Sequence, residues 1–382
     1  MNYGNDFEVI IIGGGPAGAA AGIFLSAMGF ETCIVEQKQF PREKLCGEFL
    51  SREIISQLKE WGYFHEFLMM NPNPVNSIRF ADKNGKSSIS QLDFTAYGLS
   101  RSKLDNFLLM KAGEHNVKVI CPAKAVSVKK ETNSFRVKVS QQGGNNLEIK
   151  AGIIIGAYGK RDLLDNYLGR KFTSRRSGMS GIKFHAGLPD FNYLNENEIY
   201  IYADDSAYCG INKVEDDKVT VCYLENTNLN KDDRFDPAGL LRRNLNSEFV
   251  PSALLIVSGK DYNRYGYGNI FFGEKEIVKD GIFMVGDAAR VIPPLSGDGI
   301  GVAFESAKIL SNILIKLKKR EIDKTAAEKE YRRAWILKLK RRLAVSGMLQ
   351  NVFFGKYKRK AAMNLVSLCP GITQKLIEIT RG

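Results

Sequence analysis

The glycines of residues 13–18 (GGGPAG) have the spacing G-x-G-x-x-G, which is typical of a phosphate-binding turn. The turn lies between an apolar strand predicted over residues 8–12 and a helix predicted over residues 16–29. The first glycine allows the tight turn, the second lets the backbone approach a pyrophosphate, and the third allows close helix–strand packing. Glu36 ends the next predicted strand, where a carboxylate can accept hydrogen bonds from a ribose diol. The segment therefore predicts a dinucleotide site at a helix N-terminus.

A second chemistry-bearing segment begins at Gly286 and Asp287, directly after a buried strand predicted over residues 281–285. Asp287 can bond a polyol hydroxyl, and the glycine-rich residues 297–301 open a helix whose N–H groups can face an electron-rich ring edge. Such donors suit a reduced flavin, which carries negative charge near N1 and O2. For each segment alone, the alternative is a glycine turn that binds no ligand. The two segments together favour FAD.

The order of the predicted elements indicates an α/β fold in three parts. These are a discontinuous Rossmann-like FAD-binding domain, a discontinuous antiparallel β-sheet substrate domain, and a basic helical C-terminal region. The predicted bounds are residues 1–75, 98–170 and 275–320 for the first, 76–97 and 171–274 for the second, and 321–382 for the third. The sheet prediction depends on alternating segments with a hairpin turn at Asp216-Asp217 and on a second hairpin turning at Asn84-Gly85.

Composition excludes several other classes of protein. The six cysteines form no C-x-x-C pair and only three histidines accompany them, which argues against a metal site and favours a reducing compartment. Residues 9–30 are 22 residues without a charge, but six glycines, a proline and the lack of a preceding basic segment argue against a membrane span or signal peptide. We therefore expect a cytoplasmic protein.

Three segments carry a resemblance to a known family: residues 13–36, the helix start at residues 101–105 (RSKLD) and residues 286–301. There the chain resembles the FAD-dependent oxidoreductases of the p-hydroxybenzoate hydroxylase-type fold, which include aromatic hydroxylases, geranylgeranyl reductases and flavin-dependent halogenases. Residues 41–48 (PREKLCGE) resemble the geranylgeranyl reductase-like branch. The resemblance implies that FAD is contacted by Gly13, Gly15, Pro16, Ala17, Gly18, Glu36, Arg101, Ala125, Asp287, Gly299 and Ile300.

The resemblance implies a flavin-facing cavity for an apolar substrate, with C=C reduction as the favoured reaction. The alternative is a monooxygenase that uses NAD(P)H and O2, and a flavin-binding protein without turnover is less favoured. Tyr158 stands where family hydroxylases carry an acid linked to pyridine nucleotide use, so NAD(P)H is only one candidate electron donor. Halogenases carry a tryptophan-rich motif, whereas Trp61 and Trp335 lie in no such motif, which disfavours halogenation.

Several single residues keep two interpretations each. Cys46 is our candidate catalytic residue, in which case it lines the cavity beside the flavin. The alternative is a thiol that only fills space. We include Arg42 among the FAD ligands. For Arg42 and Lys44 the functional interpretation is that they orient phosphate or substrate anions, and the alternative is that they are surface charges. For His185, a hydrogen-bonded structural role is favoured over general acid–base catalysis. Ordinary packing is likewise favoured over a cavity position for four residues of the predicted sheet, namely Tyr200, Tyr202, Tyr208 and Cys209.

The net charge of +13 is a local feature, because residues 308–360 hold 17 basic and four acidic side chains. A helix predicted there has an apolar stripe made of Tyr331, Trp335, Leu339 and Leu343. Three interpretations stay open. Residues 316–360 contact an anionic membrane surface, they contact an acidic partner such as an acyl carrier protein, or the stripe packs on the protein body. No nucleic-acid-binding motif is present. We expect a small apolar substrate, lipid-like or tethered to a carrier protein.

Overall fold

The computed structural model describes residues 6–82, 87–141, 143–144, 146–188, 194–203, 207–229, 263, 265–293, 297–353 and 358. The strands, in chain order, are β1 (Asp6–Ile12), β2 (Thr32–Val35), β3 (Phe49–Leu50), β4 (Asn73–Asp82), β5 (Ser87–Gly98), β6 (Lys118–Ile120), β7 (Ala123–Lys130), β8 (Phe135–Gln141), β9 (Asn146–Gly156), β10 (Met179–Gly187), β11 (Glu198–Ala203), β12 (Ala207–Lys213), β13 (Lys218–Asn226), β14 (Tyr265–Tyr267), β15 (Val278–Lys279) and β16 (Ile282–Met284). The helices are α1 (Pro16–Ala27), α2 (Arg52–Glu60), α3 (Phe64–Met69), α4 (Arg101–Glu114), α5 (Leu163–Tyr167), α6 (Gly299–Lys318) and α7 (Lys324–Phe353).

The first sheet has the order β15-β16-β9-β1-β2-β6, with β7 and β8 attached beside β9. Its centre is parallel, because β1 pairs in parallel with β2 and with β9. Residues 9–12 of β1 are almost fully buried, as expected for a strand covered on both faces. The uncharged residues 9–30 therefore form the end of β1, a turn and α1, and not a membrane span. In the part of the chain that the structure describes, no helix combines the length and apolarity needed to cross a membrane.

The second sheet has the order β14-β10-β13-β12-β11-β4-β5-β3. It is antiparallel as predicted except for one parallel pair, β4 with β11. Asp216 and Asp217 form the turn between β12 and β13 with positive φ angles of 56° and 51°, which Asp tolerates better than most residues. The predicted turn at Asn84-Gly85 lies outside the described residues.

The sequence-based domain bounds differ from the sheets in one place. Residues 49–50 (β3) and the first residues of β4 pair with β5 in the second sheet, although they were assigned to the FAD-binding domain. Residues 146–156 form the long strand β9, whose first half pairs with β8 and whose second half pairs with β1. The division of the chain into three parts otherwise stays a prediction.

The last described helix, α7, packs on the first sheet and on α6. Its stripe of Tyr331, Trp335, Leu339 and Leu343 is buried, and the Tyr331 hydroxyl donates to the carbonyl of Met284 at 2.7 Å. The apolar stripe therefore covers the protein body, as the third of the sequence-based alternatives states.

Candidate active site

Two glycines are required where β1 leads into α1, Gly13 in the turn and Gly18 in the first turns of the helix. Gly13 has a φ of +110°, and a Cβ there would lie 2.5 Å from the carbonyl oxygen of Ala157. A Cβ on Gly18 would lie 1.9 Å from the carbonyl oxygen of Gly13. The helix α1 can therefore approach the turn only because residue 18 has no side chain. Gly15 is the N-cap of α1 and provides no side-chain cap, so the first N–H groups of the helix stay available to an anion.

Glu36 follows β2 and lies against this turn. One carboxylate oxygen accepts the backbone N–H of Gly14 at 2.7 Å, and the other accepts the N–H of Lys38 at 2.7 Å. The side chain is buried and fixed in place. Because a carboxylate has about four acceptor positions, Glu36 retains capacity for ligand hydroxyls.

Two arginines share one buried carboxylate next to the turn. Arg42 donates to Asp105 at 2.9 Å, and Arg101 donates to it through two nitrogens at 2.7 and 2.8 Å. Burial acts to lower the pKa of Arg101, but Asp105 outweighs it and the pKa lies above its ordinary value. The Arg42 Nε atom is buried and has no hydrogen-bond partner among the described residues. Its Nη2 would lie 3.5 Å from a Cβ on Gly15, so a guanidinium that pairs with Asp105 and keeps one unbonded N–H group stands beside the N-terminus of α1.

Gly286, just after β16, meets the first turn of α1 directly. Gly286 has a φ of +57°, and a Cβ there would lie 2.8 Å from the Cβ of Ala17 in α1. The Gly286 N–H donates to Ser306 of α6 at 2.9 Å, which ties the strand end to the following helix. The N-cap of α6, Asp298, makes no side-chain cap but bonds Arg342 of α7 at 2.6 and 3.0 Å.

Two lysines connect the second segment to neighbouring loops. Lys160 lies 3.6 Å from the Asp287 carboxylate, and Lys275 donates to the carbonyls of Lys160 and Asp287 at 2.7 and 2.8 Å. Burial lowers the pKa of Lys275 to about 8. Burial, and next the charge of Arg42, likewise lower the pKa of Lys44 to about 8. The Lys44 side chain is exposed at the edge of the cavity, and an anionic ligand beside it would favour its protonated form.

These groups surround one cavity of about 480 Å³. Eleven of the twelve predicted FAD-contacting residues line it, together with Cys46: Gly13, Gly15, Pro16, Ala17, Glu36, Arg42, Arg101, Ala125, Asp287, Gly299 and Ile300. Gly18 does not line it and instead allows the helix to approach the turn. The opposite wall comes from the second sheet and from α7, and its apolar side chains include Ile78, Phe80, Ile199, Ile201, Leu224, Leu349 and Val352.

Cys46 lies where the two walls meet. Its sulfur accepts the backbone N–H of Glu48 at 3.4 Å, and its side chain interacts with Arg101. Of the four candidate residues of the second sheet, only Tyr208 lines the cavity, whereas Tyr200, Tyr202 and Cys209 are buried in packing. Burial raises the pKa of Tyr208 well above its ordinary value, so its hydroxyl is neutral.

Tyr158 also lines the cavity. Its hydroxyl donates to Asp165 at 3.0 Å and accepts from Arg170 at 3.3 Å, and burial raises its pKa. The two tryptophans lie elsewhere. Trp61 packs between Phe24 and Phe304, and the buried Trp335 lies inside α7's contact with the core. Neither lines the cavity, which agrees with the lack of a tryptophan-rich tunnel motif.

A buried network centred on Glu48 fixes the segment that carries Cys46. Glu48 has a φ of 58°, and its carboxylate bonds Lys183, His185 at 2.6 Å, Thr220 and the backbone N–H of Arg101 at 2.6 Å. Burial acts to raise the pKa of Glu48, but the bond to His185 and the charge of Lys183 outweigh it and lower the pKa to about 2. His185 does not line the cavity, so the favoured structural interpretation fits its position.

Sequence reasoning missed this network. A signal for it was the spacing of Lys183 and His185, because side chains two residues apart lie on the same face of a strand. A buried lysine on that face needs a carboxylate partner. Glu43, Glu48 and His185 have ligand atoms within 4.8 Å of one another, as a cation site would. The Lys183 ammonium, however, bonds both carboxylates and occupies the position that a metal ion would take.

The donors and acceptors fit FAD. The free N–H groups of α1 and the unpaired Arg42 nitrogen suit a pyrophosphate, Glu36 suits a ribose, and Asp287 suits a polyol. Fold and site thus define a flavoprotein oxidoreductase. The chain belongs to the family of FAD binding domains, whose sequence model matches residues 6–335.

Relatives and a solved structure support this assignment. A 1H-pyrrole-2-carbonyl peptidyl-carrier-protein chlorinase of Pseudomonas fluorescens is 23% identical, over 82% of this chain and 76% of that protein. A digeranylgeranylglycerophospholipid reductase of Methanocaldococcus jannaschii is 24% identical, over 86% of this chain and 82% of that protein. A geranylgeranyl bacteriochlorophyll reductase-like protein of Thermoplasma acidophilum has the same fold, with a TM-score of 0.76, 19% identity and coverage of 92% and 88% of the two chains. The protein is therefore an FAD-dependent oxidoreductase.

Proposed function

We propose that the protein reduces a C=C bond of a long, apolar, lipid-like substrate. The observation that carries the proposal is the composition of the cavity, which has a polar wall suited to FAD and an apolar wall from the second sheet and α7. An apolar chain placed between the walls would be desolvated without leaving its own polar groups unpaired. Bound FAD would supply the hydride for this reduction.

We further propose that the predicted residues make the FAD contacts. Backbone N–H groups after Gly15 and the Arg42 guanidinium would bind the pyrophosphate, and Glu36 would bind the ribose. Asp287 would bind the polyol chain, and the N-terminus of α6 at Gly299 would face the ring. Gly18 would act indirectly by allowing α1 to reach the turn.

The residues of the chain would hold the substrate and exclude water. Ile199, Ile201 and Leu224 would contact the apolar chain, and Leu349 of α7 would cover it. Cys46 would lie beside the reacting part of the substrate, since it stands between the two walls. The Tyr208 hydroxyl lies on the apolar wall, and because its pKa is raised it stays protonated at neutral pH.

Two observations favour reduction over the alternatives. Residues 41–48 resemble the geranylgeranyl reductase-like branch, and relatives such as the Methanocaldococcus jannaschii protein are named for reduction of a phospholipid with geranylgeranyl chains. The relative named for chlorination of a carrier-bound pyrrole makes a carrier-tethered substrate the main competitor. The extent of the apolar wall favours a lipid, because a tethered pyrrole is small and polar.

The test is product analysis with and without oxygen. FAD-loaded protein is reduced with dithionite under nitrogen and mixed with a digeranylgeranylglycerol phospholipid in detergent, and the lipid is analysed by mass spectrometry. We expect a gain of two hydrogen atoms per reduced bond. In air, NADH and NADPH are then tested as reductants. A product that gains one oxygen atom and forms only in air would identify a monooxygenase and refute the proposal.

A further inference from the structure

The outward side of α7 carries apolar side chains where a solvated helix would carry polar ones. Leu337 is 71% exposed and Met348 is 51% exposed, and the exposed Ala344 lies between them. Spacings of seven and four residues put the three on one line along the helix. The opposite side packs on the core through the buried Tyr331, Trp335, Leu339 and Leu343. The helix is therefore apolar along two lines, and only the inner one is covered by described residues.

Cations border the outer line. At 3.6 residues per turn, Arg333 and Lys340 lie on one side of it and Arg341 on the other, and all three are exposed. We call Arg333, Leu337, Lys340, Arg341, Ala344 and Met348 the outer stripe. No Asp or Glu occurs between residues 331 and 353. Within the described residues, the ion pairs of α7 involve Glu330 and Arg342 and no member of the outer stripe.

The outer stripe ends beside the cavity. Met348 is exposed, whereas the next residue, Leu349, lines the cavity together with Val352. One helix thus separates the outer surface from the apolar wall.

We propose that the outer stripe docks on an anionic membrane surface. Leu337, Ala344 and Met348 would enter the boundary between headgroups and acyl chains, and the three cations would contact lipid phosphates. A membrane fits better than an acidic protein, because protein interfaces concentrate their energy in a packed central cluster. Three side chains in a thin row on a convex helix suit a planar, fluid surface instead. The inference rests on the proposed function for its purpose, since docking would bring the cavity beside a source of apolar substrate.

The test measures sedimentation of FAD-loaded protein with vesicles, and no turnover. One set of vesicles contains phosphatidylcholine with about one third phosphatidylglycerol, and the other contains phosphatidylcholine alone. We expect binding to the second set to be about tenfold weaker or more, because each basic residue near an anionic surface contributes about 1 kcal/mol. Leu337→Ser with Met348→Ser should weaken binding to the anionic vesicles about tenfold.

A matched control uses exposed apolar residues elsewhere, Met69→Ser with Leu163→Ser, which are 74% and 64% exposed in the parent chain. The control should bind vesicles as the parent does, and both double variants should keep the parent's FAD content and thermal midpoint. Failure to sediment with anionic vesicles overturns the inference. So does a Leu337→Ser/Met348→Ser protein that binds like the parent while Arg333→Gln/Arg341→Gln loses binding, because a purely electrostatic surface would suit an acidic protein. Vesicle binding without C=C reduction would refute the proposed function and leave the docking surface standing.

Discussion

The substitution Gly15→Ala separates cofactor binding from folding. In the protein, the added methyl group would have only Arg42 Nη2 within 4 Å, at 3.5 Å, and Gly15 has ordinary backbone angles of −72° and −175°. Alanine meets no clash there, so the loss of stability should stay within about 1 kcal/mol, the difference between alanine and glycine as an N-cap. With FAD present, the methyl group would stand between the N-terminus of α1 and the pyrophosphate.

The expected loss is about one charge-assisted hydrogen bond, which contributes about 1.5–3 kcal/mol. That free energy corresponds to an FAD dissociation constant about 10- to 100-fold higher. The assay is titration of FAD-free protein with FAD, followed by flavin fluorescence, beside a thermal melt without FAD.

The matched control is Gly113→Ala in α4, where a Cβ would meet no atom within 4 Å. It should leave FAD affinity unchanged and stabilise the fold by up to about 1 kcal/mol, because alanine favours a helix over glycine. If Gly15→Ala binds FAD as tightly as the parent, the phosphates do not approach α1 at Gly15. If it loses clearly more than about 1 kcal/mol of unfolding free energy, the methyl group does not have free space at residue 15.

Three other substitutions test the surroundings of the site. Gly18→Ala puts a Cβ 1.9 Å from a carbonyl oxygen, so it should lower both thermal midpoint and FAD content, and a protein that keeps both would contradict the close packing. Glu48→Gln should cost about 3–5 kcal/mol of unfolding free energy in urea, because buried cations lose their partner. The control Glu131→Gln, at a partly exposed carboxylate whose ion pair is with Arg136, should change little. Since the pKa of Glu48 falls from 4.5 to about 2 on folding, its contribution is present above pH 4.5 and is lost as pH falls towards 2, and the variant should lack this component of acid sensitivity. The pKa of Lys44 near 8 in FAD-free protein predicts weaker FAD binding as pH rises through about 8, and Lys44→Met should reduce that dependence. An identical pH profile in Lys44→Met would remove this lysine from the site.

Local sequence signals predicted the elements that depend on neighbouring residues. The glycine turn of residues 13–18, the acid at Glu36 and the helix start at Arg101 all lie where the sequence predicts them. Short-range geometry determines each of these features, so a single sequence contains enough information to predict them.

The features that sequence reasoning missed depend on long-range contacts. The carboxylate of Glu48 meets Lys183 and Thr220, which lie 135 and 172 residues away in the chain. Strand β9 continues past Ala151-Gly152 because it has different partners on its two halves, and no local signal indicates this. The inner position of the α7 stripe was one of three alternatives, since periodicity defines an apolar face without identifying what covers it.

The proposed cofactor site requires residues 13–18 and 286–300 to bind the same FAD molecule. Hydrogen–deuterium exchange with and without FAD tests this directly, because backbone N–H groups that bind or are covered by a ligand exchange more slowly. FAD addition should slow exchange in both segments and in residues 42–48, at one FAD per chain. Protection confined to residues 13–18 and 36, with no change in residues 286–300, would contradict it.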